Sequence, residues 1–465
     1  MKLNIAGYNI DTTVISAAMD AGLDPSLFTP EIISAAYARI SRSPDTVEEL
    51  RAEARENVPK ARKSNQSIVF DMGHSSIAEH AVFNIDIQDI SRLALEEIER
   101  HRLASYTEKS QRYVEVGKDY MIPAEWSSEE DRAALERLQK AASAFYFSLL
   151  EAGIDKEDAR YYLPLSLTGQ LGATLNTRTL EHMILAFAAS PLAEMNELGT
   201  LLNREISAVA PSLVRYVEPS EYHRREYSQG LFGNQDIDPE SLTGQVVSLD
   251  GSDLGTLALL MRPDQVDTRV LAMRMSRQRG IPFSRALALA GALSADQQNT
   301  EFQALLSPLG LHDSAPSELE HFTYTWEIIL SAAAFAQLKR HRLSGITCSA
   351  YSPALGFTHP PALSPEQRAA AAPLIELSHE TFLRMAPHGA AQYALLSGHR
   401  RRVTWTANLR EHYHFSRLRE DGHAQWDIRA FAFAMADTIR ESAPLTAGML
   451  CGKDRFPVIK ARFTS

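Results

Sequence analysis

Two runs rich in arginine and histidine stand about 240 residues apart in the chain. Residues 100–113 read RHRLASYTEKSQRY, in which a glutamate, a serine and an arginine follow the first three cations at fixed spacing. Residues 340–352 begin with RHRL again, but their continuation SGITCSAYS lacks those three side chains. Guanidinium groups bind phosphate oxygens in bidentate pairs, and each charge-assisted hydrogen bond contributes about 1.5–3 kcal/mol. The first run therefore predicts an anion site, against the commoner alternative of a helix end that is solvated or paired with a carboxylate.

The residues after the first run offer groups that recognise more than a phosphate. Glu108 can accept a hydrogen bond from a sugar hydroxyl or an imide, neither of which a phosphate provides. Ser110 and nearby backbone N–H groups can complete the contacts to a phosphate. Cys348 and Cys451 show no metal-ligand spacing, so we interpret both as small buried side chains and predict no metal.

The overall charge excludes a protein that binds nucleic acid through a general basic surface. The chain has 465 residues, with 47 Lys and Arg against 58 Asp and Glu and a net charge of −11, so an anionic ligand needs a local arginine cluster. Two cysteines exclude a disulfide framework and fit a reducing compartment. The first residues show no signal-peptide pattern, and no apolar stretch is as long as a membrane span. We therefore expect a cytoplasmic protein without nucleic-acid or membrane partners.

The elements that position these residues recur in the sequence. Four landmarks appear twice in the same order, offset by roughly 240 residues: ARISR at 38–42 and MRMSR at 273–277, EH at 79–80 and 320–321, the two RHR runs, and LNTRTLEH at 175–182 and ANLREHYH at 407–414. A repeat of that length fits a duplicated domain and not a solenoid. We expect a first repeat over 1–222, a connector over 223–262 that is rich in turn-forming residues, and a second repeat over 263–465.

Each repeat predicts a strand, a helix, the RHR run and a loop, in that order. The strands show a two-residue apolar alternation, carried by Ala81, Phe83, Ile85 and Ile87 in the first repeat and by Phe322, Tyr324, Trp326 and Ile328 in the second. Asp89 or Ser91 can cap the first helix, and Ser331 can cap the second. Long helical patterns near 178–208 and 409–441 close the repeats. The predicted class is α+β with antiparallel strand pairing.

The first run resembles the signature of the flavin-dependent thymidylate synthases, which is RHR, seven residues and then serine. Arg100, His101, Arg102 and Ser110 match it, and EKSQRY at 108–113 is close to the family's continuation. Three further segments resemble family motifs: GHSSIAEH at 73–80, RYYLPLSLTGQLGATLNTR at 160–178 and NLREHYHFSRLREDGHAQWDIR at 408–429. The resemblance covers both halves, about 200 residues each, and implies two tandem copies of the family's domain, each with an antiparallel sheet and long helices.

The two halves depart from the family pattern at different positions. The family's glutamine three residues before RHR is Gln337 in the second repeat and Glu97 in the first. Its substrate-activating arginine is Arg419 in the second repeat, while Phe187 occupies that place in the first. The second repeat therefore keeps one part of the family's set of functional residues.

The first repeat keeps the other part of that set. It retains Glu108, Ser110, Arg112 and Arg160. At the corresponding places the second repeat has Cys348, Ala350, Ser352 and Gln392. The family is known for homotetramers whose active sites combine residues of different subunits. The resemblance therefore implies one working composite site from unlike repeats, in a homodimer that imitates the tetramer.

The resemblance also implies a role for each residue. Arg419 is the predicted catalytic residue, because a guanidinium can stabilise negative charge that develops on a pyrimidine. Ser110 is interpreted as a phosphate or sugar contact and not as a nucleophile, since the family uses hydride from the reduced flavin and no covalent enzyme nucleophile. The predicted substrate-binding residues are Gln337, Arg340, Glu108, Ser110, Gln111, Arg112 and Arg160. The predicted FAD-binding residues are Ser76, Arg100, His101, Arg102, Glu108, Asn408, Arg410 and His414.

The activity implied by the resemblance is the methylation of dUMP to dTMP, with FAD as cofactor, NADPH as reductant and methylenetetrahydrofolate as one-carbon donor. Two alternatives stay open: the same chemistry on another uridine nucleotide, and a non-catalytic relative that binds flavin or nucleotide. The complementary retention of Arg160 and Arg419 disfavours the second, because a scaffold has no need of an intact set divided between repeats.

Overall fold

The computed structural model describes residues 1–20, 27–116, 118–229, 242, 244–251 and 253–464. The chain divides into two compact units. The first contains Met1–Gln235 together with Ala370–Leu396, and the second contains Asp236–Ala369 together with Ser397–Ser465. Within the described ranges, no helix combines the length and the apolar character needed to cross a bilayer.

The first unit is built on a four-stranded antiparallel sheet. Its strands are β1 (Lys2–Tyr8), β2 (Val82–Ser91), β3 (Ala104–Glu108) and β4 (Thr168–Asn176), in the order β1-β2-β4-β3. The alternation predicted for β2 is confirmed, since Phe83, Ile85 and Ile87 are buried while the residues between them are exposed. β2 is therefore a strand with one face in the core.

The helix after β2 begins at the predicted serine cap. Ser91 Oγ accepts a hydrogen bond from the Ala94 backbone N–H at 2.9 Å, which satisfies a donor that the helix leaves unpaired. Asp89, the alternative cap, lies instead in the left-handed backbone region with φ 56°. The helices of this unit are α1 (Thr12–Asp20), α2 (Glu31–Arg39), α3 (Val47–Glu56), α4 (Val58–Gln66), α5 (Arg92–Glu99), α6 (Glu129–Glu151), α7 (Lys156–Ala159), α8 (Thr177–Ala189), α9 (Ala193–Val209) and α10 (Glu221–Gln229).

Residues 370–396 belong to the first unit although they come from the second repeat. The Leu165 backbone N–H donates to the Leu395 carbonyl at 2.8 Å, and the Tyr393 hydroxyl donates to Glu194 Oε2 at 2.7 Å. The Trp126 indole N–H donates to a carbonyl of the same segment. These buried hydrogen bonds explain why the compact units do not follow the order of the repeats along the chain.

The second unit repeats the sheet of the first and extends it. Its strands are β5 (Gln245–Val247), β6 (Thr256–Met261), β7 (Thr323–Ser331), β8 (Gly345–Cys348), β9 (Ser352–Phe357) and β10 (His399–Asn408). Their order is β5-β6-β7-β10-β8, all antiparallel, and β9 also pairs with β10. The run β6-β7-β10-β8 matches β1-β2-β4-β3, which confirms the duplicated α+β architecture.

The helices of the second repeat also follow the order of the first. They are α11 (Val266–Arg279), α12 (Phe283–Gly291), α13 (Ala295–Leu306), α14 (Ala332–Leu338), α15 (Pro365–Met385), α16 (Leu409–Arg419), α17 (Trp426–Ser442) and α18 (Phe456–Thr464). The Ala334 backbone N–H donates to Ser331 Oγ at 3.0 Å, so the predicted cap of α14 is confirmed. The arrangement strand, capped helix, RHR run and strand is therefore present in both repeats.

The helical patterns predicted near 178–208 and 409–441 are confirmed, and each contains two helices. Pro191, which has no N–H to donate, separates α8 from α9. The Asp421 carboxylate accepts the His423 backbone N–H at 2.9 Å between α16 and α17, a local bond that competes with helix continuation.

β7 differs from β2 in being buried on both faces. Trp326 and Ile328 face the main core, as the alternation predicts. On the opposite face, Ile329 packs in a smaller cluster with Ala258 and Leu355. The alternation was therefore a true sign of a strand, but it did not predict the second covered face.

The segment predicted as a connector, 223–262, contains β5 and β6, which extend the second sheet. Its stretch 230–241 and residues 243 and 252 lie outside the described residues. The repeat boundaries given above stay a prediction.

Candidate active site

Arg419, at the end of α16, is held by residues of the α14 region in the second unit. Its Nε donates to His341 Nε2 at 3.1 Å, its Nη1 to Gln337 Oε1 at 3.2 Å and its Nη2 to the Gln337 carbonyl at 3.2 Å. Gln337 in turn donates to Gln425 Oε1 at 3.0 Å. The structure therefore brings together Gln337 and Arg419, two residues that were predicted for one site.

A buried histidine and a buried carboxylate stand behind this arginine. His341 Nδ1 lies 3.0 Å from Glu411 Oε1, and the two residues are 1% and 5% exposed. Burial, with a smaller contribution from Arg419, lowers the pKa of the His341 imidazole well below its usual value. The ring is therefore neutral at neutral pH. Neither His341 nor Glu411 was among the predicted site residues.

Asn408, Arg410 and His414 of the α16 region line a cavity of about 500 Å³ in the second unit. The Asn408 side chain caps the helix by accepting the Glu411 N–H at 2.8 Å, and Arg410 forms an ion pair with Glu320. The predicted FAD-binding residues of the second repeat thus share one cavity. Its other lining residues are Leu311, His312, Asp313, Ser314, Ala315, Glu320, Leu343, Glu411, Tyr413 and Arg417.

His341, Glu411 and His414 also form a cluster whose potential metal-binding atoms lie within 4.8 Å of one another. Both ring nitrogens of His341 are already engaged, one with Glu411 and one with Arg419. The permanent charge of the Arg419 guanidinium opposes a second cation at this place. The cluster is therefore better suited to orienting Arg419 than to holding a metal.

Glu108, Ser110, Arg112 and Arg160 lie together in the first unit. Glu108 Oε2 accepts from Arg92 Nη1 at 2.7 Å, and the Arg112 backbone N–H donates to Ser110 Oγ at 3.2 Å. Burial lowers the pKa of Arg160, and the charges of Arg92 and Arg112 add to this effect. Three arginines are concentrated here, and the carboxylates of Glu108 and Glu157 pair with two of them, Arg92 and Arg112. Arg92 was missed because nothing in its sequence context marks it.

Arg112 and Gln111 have further surroundings in the first unit, and Arg340 lies in the second unit. Arg112 Nε donates to Glu157 Oε2 at 2.6 Å. Gln111 is half-buried in the turn that joins Ser110 to Arg112. In the second unit, Arg340 is half-buried just after α14, three residues beyond Gln337.

The RHR run of the first repeat has different neighbours from those of Arg419. A cavity of about 440 Å³ is lined by Arg100, His101, Phe187 and Tyr227, with other residues. Arg100 donates to the Glu97 carboxylate at 2.9 Å, and its guanidinium lies over the ring of Tyr227 at 5.9 Å. The rings of Phe187 and His101 are nearly perpendicular, with a centroid distance of 5.7 Å. Desolvation lowers the pKa of His101 to about 3.

The remaining predicted cofactor residues of the first unit lie elsewhere. Ser76, in the turn Ser75–His80, lines a cavity of about 400 Å³ together with Arg42, His74 and His80. Arg102 is exposed at the end of the RHR run. The predicted residues of the first unit therefore form three groups, whereas Gln337, Asn408, Arg410, His414 and Arg419 of the second lie around one helix, α16. The composite site predicted from the sequence stays a prediction.

Comparison with known proteins gives both halves the same assignment. The profile of the family described as thymidylate synthase complementing protein matches residues 26–212 and 259–445. The flavin-dependent thymidylate synthase of Geobacter sulfurreducens is 32% identical over 195 residues, which are 41% of this chain and 83% of that protein. The flavin-dependent thymidylate synthase of Sulfurisphaera tokodaii is 34% identical over 151 residues, and the match spans 32% of this chain and 59% of the relative's length.

A solved structure also resembles part of the chain. The flavin-dependent thymidylate synthase of Helicobacter pylori, crystallised with FAD and dUMP, is 22% identical and covers 46% of this chain and 100% of its own length, with a TM-score of 0.32. A likeness this low carries no conclusion about the present site. The two profile matches together span most of the chain, and each contains one RHR run. The chain therefore belongs to the thymidylate synthase complementing protein family and carries the family's domain twice.

Proposed function

We propose that this protein methylates dUMP to dTMP, with FAD as its cofactor and with methylenetetrahydrofolate and NADPH as co-substrates. The observation that carries the proposal is the fixed position of Arg419, whose guanidinium is held by three hydrogen bonds. A positive charge that is oriented in advance stabilises negative charge developing on a pyrimidine without reorganisation during the reaction. The flavin-dependent thymidylate synthases among its relatives support the same activity.

The donor groups around α16 fit a flavin dinucleotide. Asn408, Arg410 and His414 bring an amide, a guanidinium and an imidazole to a cavity of about 500 Å³. These groups suit the pyrophosphate and the carbonyl oxygens of such a cofactor. We assign the remaining contacts to the residues predicted in the first repeat, which are Ser76, Arg100, His101, Arg102 and Glu108. When bound, FAD supplies the reducing equivalents that convert the transferred one-carbon unit into a methyl group.

The nucleotide is held, in this proposal, by the cationic group of the first unit. Arg112, Arg160 and Ser110 bind the phosphate, which compensates the burial of the Arg160 guanidinium. Glu108 accepts from the sugar or the pyrimidine imide, and Gln111 lies next to it. From the second repeat, Gln337 and Arg340 contact the nucleotide beside Arg419.

Both repeats contribute to the same working site in this proposal, because neither retains the complete set. The second has Arg419 where the first has Phe187, and the first has Arg160 where the second has Gln392. We propose a homodimer in which each chain accounts for one working site. The reciprocal combination, which contains Phe187, Glu97 and Cys348, lacks the groups that the chemistry requires.

The test is tritium release from 5-tritiated dUMP by the FAD-loaded protein with NADPH and methylenetetrahydrofolate. We expect Arg419→Ala to lower the rate by about 10²–10³-fold, the usual effect of removing a preorganised electrostatic group. Phe187→Leu is the matched variant of the other repeat, and it conserves a buried apolar side chain. We expect its rate to stay close to that of the wild type. Bound flavin, measured by absorption near 450 nm, shows that each variant is folded and loaded.

Two results would reject the proposal. Release that survives Arg419→Ala and disappears in Phe187→Leu would place the chemistry in the other repeat. An FAD-loaded protein that releases no tritium from dUMP would also reject it. If 5-tritiated UMP reacts instead, the substrate is another uridine nucleotide, and if neither nucleotide reacts, the non-catalytic alternative stands.

A further inference from the structure

We infer that Glu411 and His341 are positioning residues that hold the Arg419 guanidinium in its working orientation. This inference rests on the proposed function, because it concerns the residue that carries that function. The resemblance to the family gave no role to Glu411 or to His341. Both act through Arg419 and not on the pyrimidine.

The hydrogen bonds determine which nitrogen of His341 carries the proton. Arginine stays protonated, so its Nε–H is always a donor and His341 Nε2, 3.1 Å away, must accept. The proton of the neutral ring is therefore on Nδ1, which donates to Glu411 Oε1 at 3.0 Å. This assignment does not depend on the charge of Glu411, since either form of the carboxyl group has an oxygen that accepts.

Glu411 reinforces the tautomer that Arg419 requires, because it accepts the proton on Nδ1. Without Glu411 this buried Nδ1–H loses its acceptor, so the alternative tautomer, in which Nε2–H faces Arg419 Nε–H, becomes more populated. Two donors would then face each other, and the arginine would lose its hydrogen bond to the ring. Because Arg419 is a long side chain at a helix terminus, each such hydrogen bond restricts the rotamers that it can adopt.

The first repeat lacks the counterparts of Gln337, Glu411 and Arg419 together, which supports a common function for these three residues. At the places of Gln337, Glu411 and Arg419 it has Glu97, Thr179 and Phe187, although it retains the histidine as His101. Thr179 Oγ1 donates instead to the Leu103 carbonyl at 3.3 Å. The carboxylate is therefore present where the arginine is present, and absent where phenylalanine replaces it.

The first arm of the test separates kcat from the KM for dUMP. We expect Glu411→Leu to lower kcat by about 10–100-fold, the scale on which supporting residues and small misplacements act, with little change in KM. Glu411→Gln keeps an oxygen that can accept from Nδ1–H, so it should recover most of the lost rate. Thr179→Val, the matched variant of the first repeat, should leave both constants unchanged. Flavin absorption and thermal melting show whether Glu411→Leu remains folded and loaded.

The second arm does not need activity. With ¹⁵N-labelled histidine, we expect His341 in the wild type to show a protonated Nδ1 and an unprotonated Nε2, assigned by the signal that is lost in His341→Gln. Glu411→Leu should change this pattern, and Thr179→Val should not. A wild-type ring protonated at Nε2, or an unchanged kcat in folded Glu411→Leu, would overturn the inference. A wild type that makes no dTMP would instead overturn the proposed function, and the NMR pattern would then decide the inference alone.

Discussion

At the scale of single residues, α16 places several groups with different tasks within three helical turns. Arg419 carries the charge that the proposed chemistry uses, and Glu411 supports it through His341. His412 faces the core instead. Its Nε2 accepts the Trp326 indole N–H at 2.9 Å, and its Nδ1 lies 2.9 Å from the Asn408 carbonyl. Since Nε2 accepts, the proton is on Nδ1 and this ring is neutral as well.

The neutral state of His412 predicts that the protein loses stability in mild acid. Burial lowers the pKa of His412 to about 4, whereas an unfolded histidine titrates near 6.5. Between these values the unfolded chain binds a proton that the folded chain does not, so the free energy of unfolding falls as the pH falls. One such group contributes up to about 1.4 kcal/mol per pH unit within that window.

His412→Gln should remove this contribution, because the glutamine amide accepts from Trp326 but does not titrate. We expect the wild type to lose about 2 kcal/mol more than the variant between pH 7 and pH 5. Urea unfolding followed by tryptophan fluorescence measures the two midpoints at each pH. Equal pH dependence of wild type and variant would show that His412 is already protonated, or solvated, in the folded protein.

The sequence allowed prediction of those site residues that belong to motifs, such as Gln337 and Arg419. It did not predict that Glu411 meets His341, because the two are separated by 70 positions and only the fold brings them together. Arg92 escaped for the same reason, since its partner Glu108 is on another element. Glu157 is a further case, because its contact with Arg112 spans 45 positions.

At the scale of elements, the helix before RHR has the same kind of N-cap in both repeats, a serine that also donates to a buried carboxylate. In the first unit Ser91 caps α5 and donates to Glu194 Oε2 at 2.6 Å. In the second unit Ser331 caps α14 and donates to Asp427 Oδ2 at 2.6 Å. A hydroxyl that satisfies both a helix N–H and a buried carboxylate fixes where the helix begins. That start determines where Gln337 lies along α14.

Removing either hydroxyl should therefore cost more than the loss of an ordinary cap. We expect Ser331→Ala and Ser91→Ala each to lower the free energy of unfolding by about 2–4 kcal/mol, from the lost cap and from the loss of one hydrogen bond to a buried carboxylate. Ser128→Ala is the control, because Ser128 caps α6 at an exposed position and should cost about 1 kcal/mol. Urea midpoints measure all three. Equal losses in the three variants would contradict a special role for the buried pairs.

The strands and caps were predictable because their signals are local. Phe83, Ile85 and Ile87 show a period of two, and Ser91 and Ser331 stand directly before apolar helices. The break at Pro191 has a local cause as well, because a proline within a helical pattern disfavours a helix that continues through it. The second covered face of β7 had no local signal, since it depends on distant residues such as Leu355.

At the scale of the whole molecule, the two repeats have the same core strand order but different candidate functional residues. The repeats share the order of their strands, so the scaffold is conserved while the functional groups differ. The assignment of 370–396 to the first unit was not predictable, because it depends on hydrogen bonds such as that between Tyr393 and Glu194. Sequence periodicity reports the repeat, but it does not report which compact unit a segment joins.

The central claim is that two copies of the domain provide one working nucleotide site for each chain. Isothermal titration of dUMP into the FAD-loaded protein measures this number most directly. We predict one dUMP per chain in the wild type, and the same stoichiometry in Phe187→Leu, because Phe187 lies outside the working set. A stoichiometry of two dUMP per chain would contradict the account, since it would show that each repeat keeps a complete site of its own.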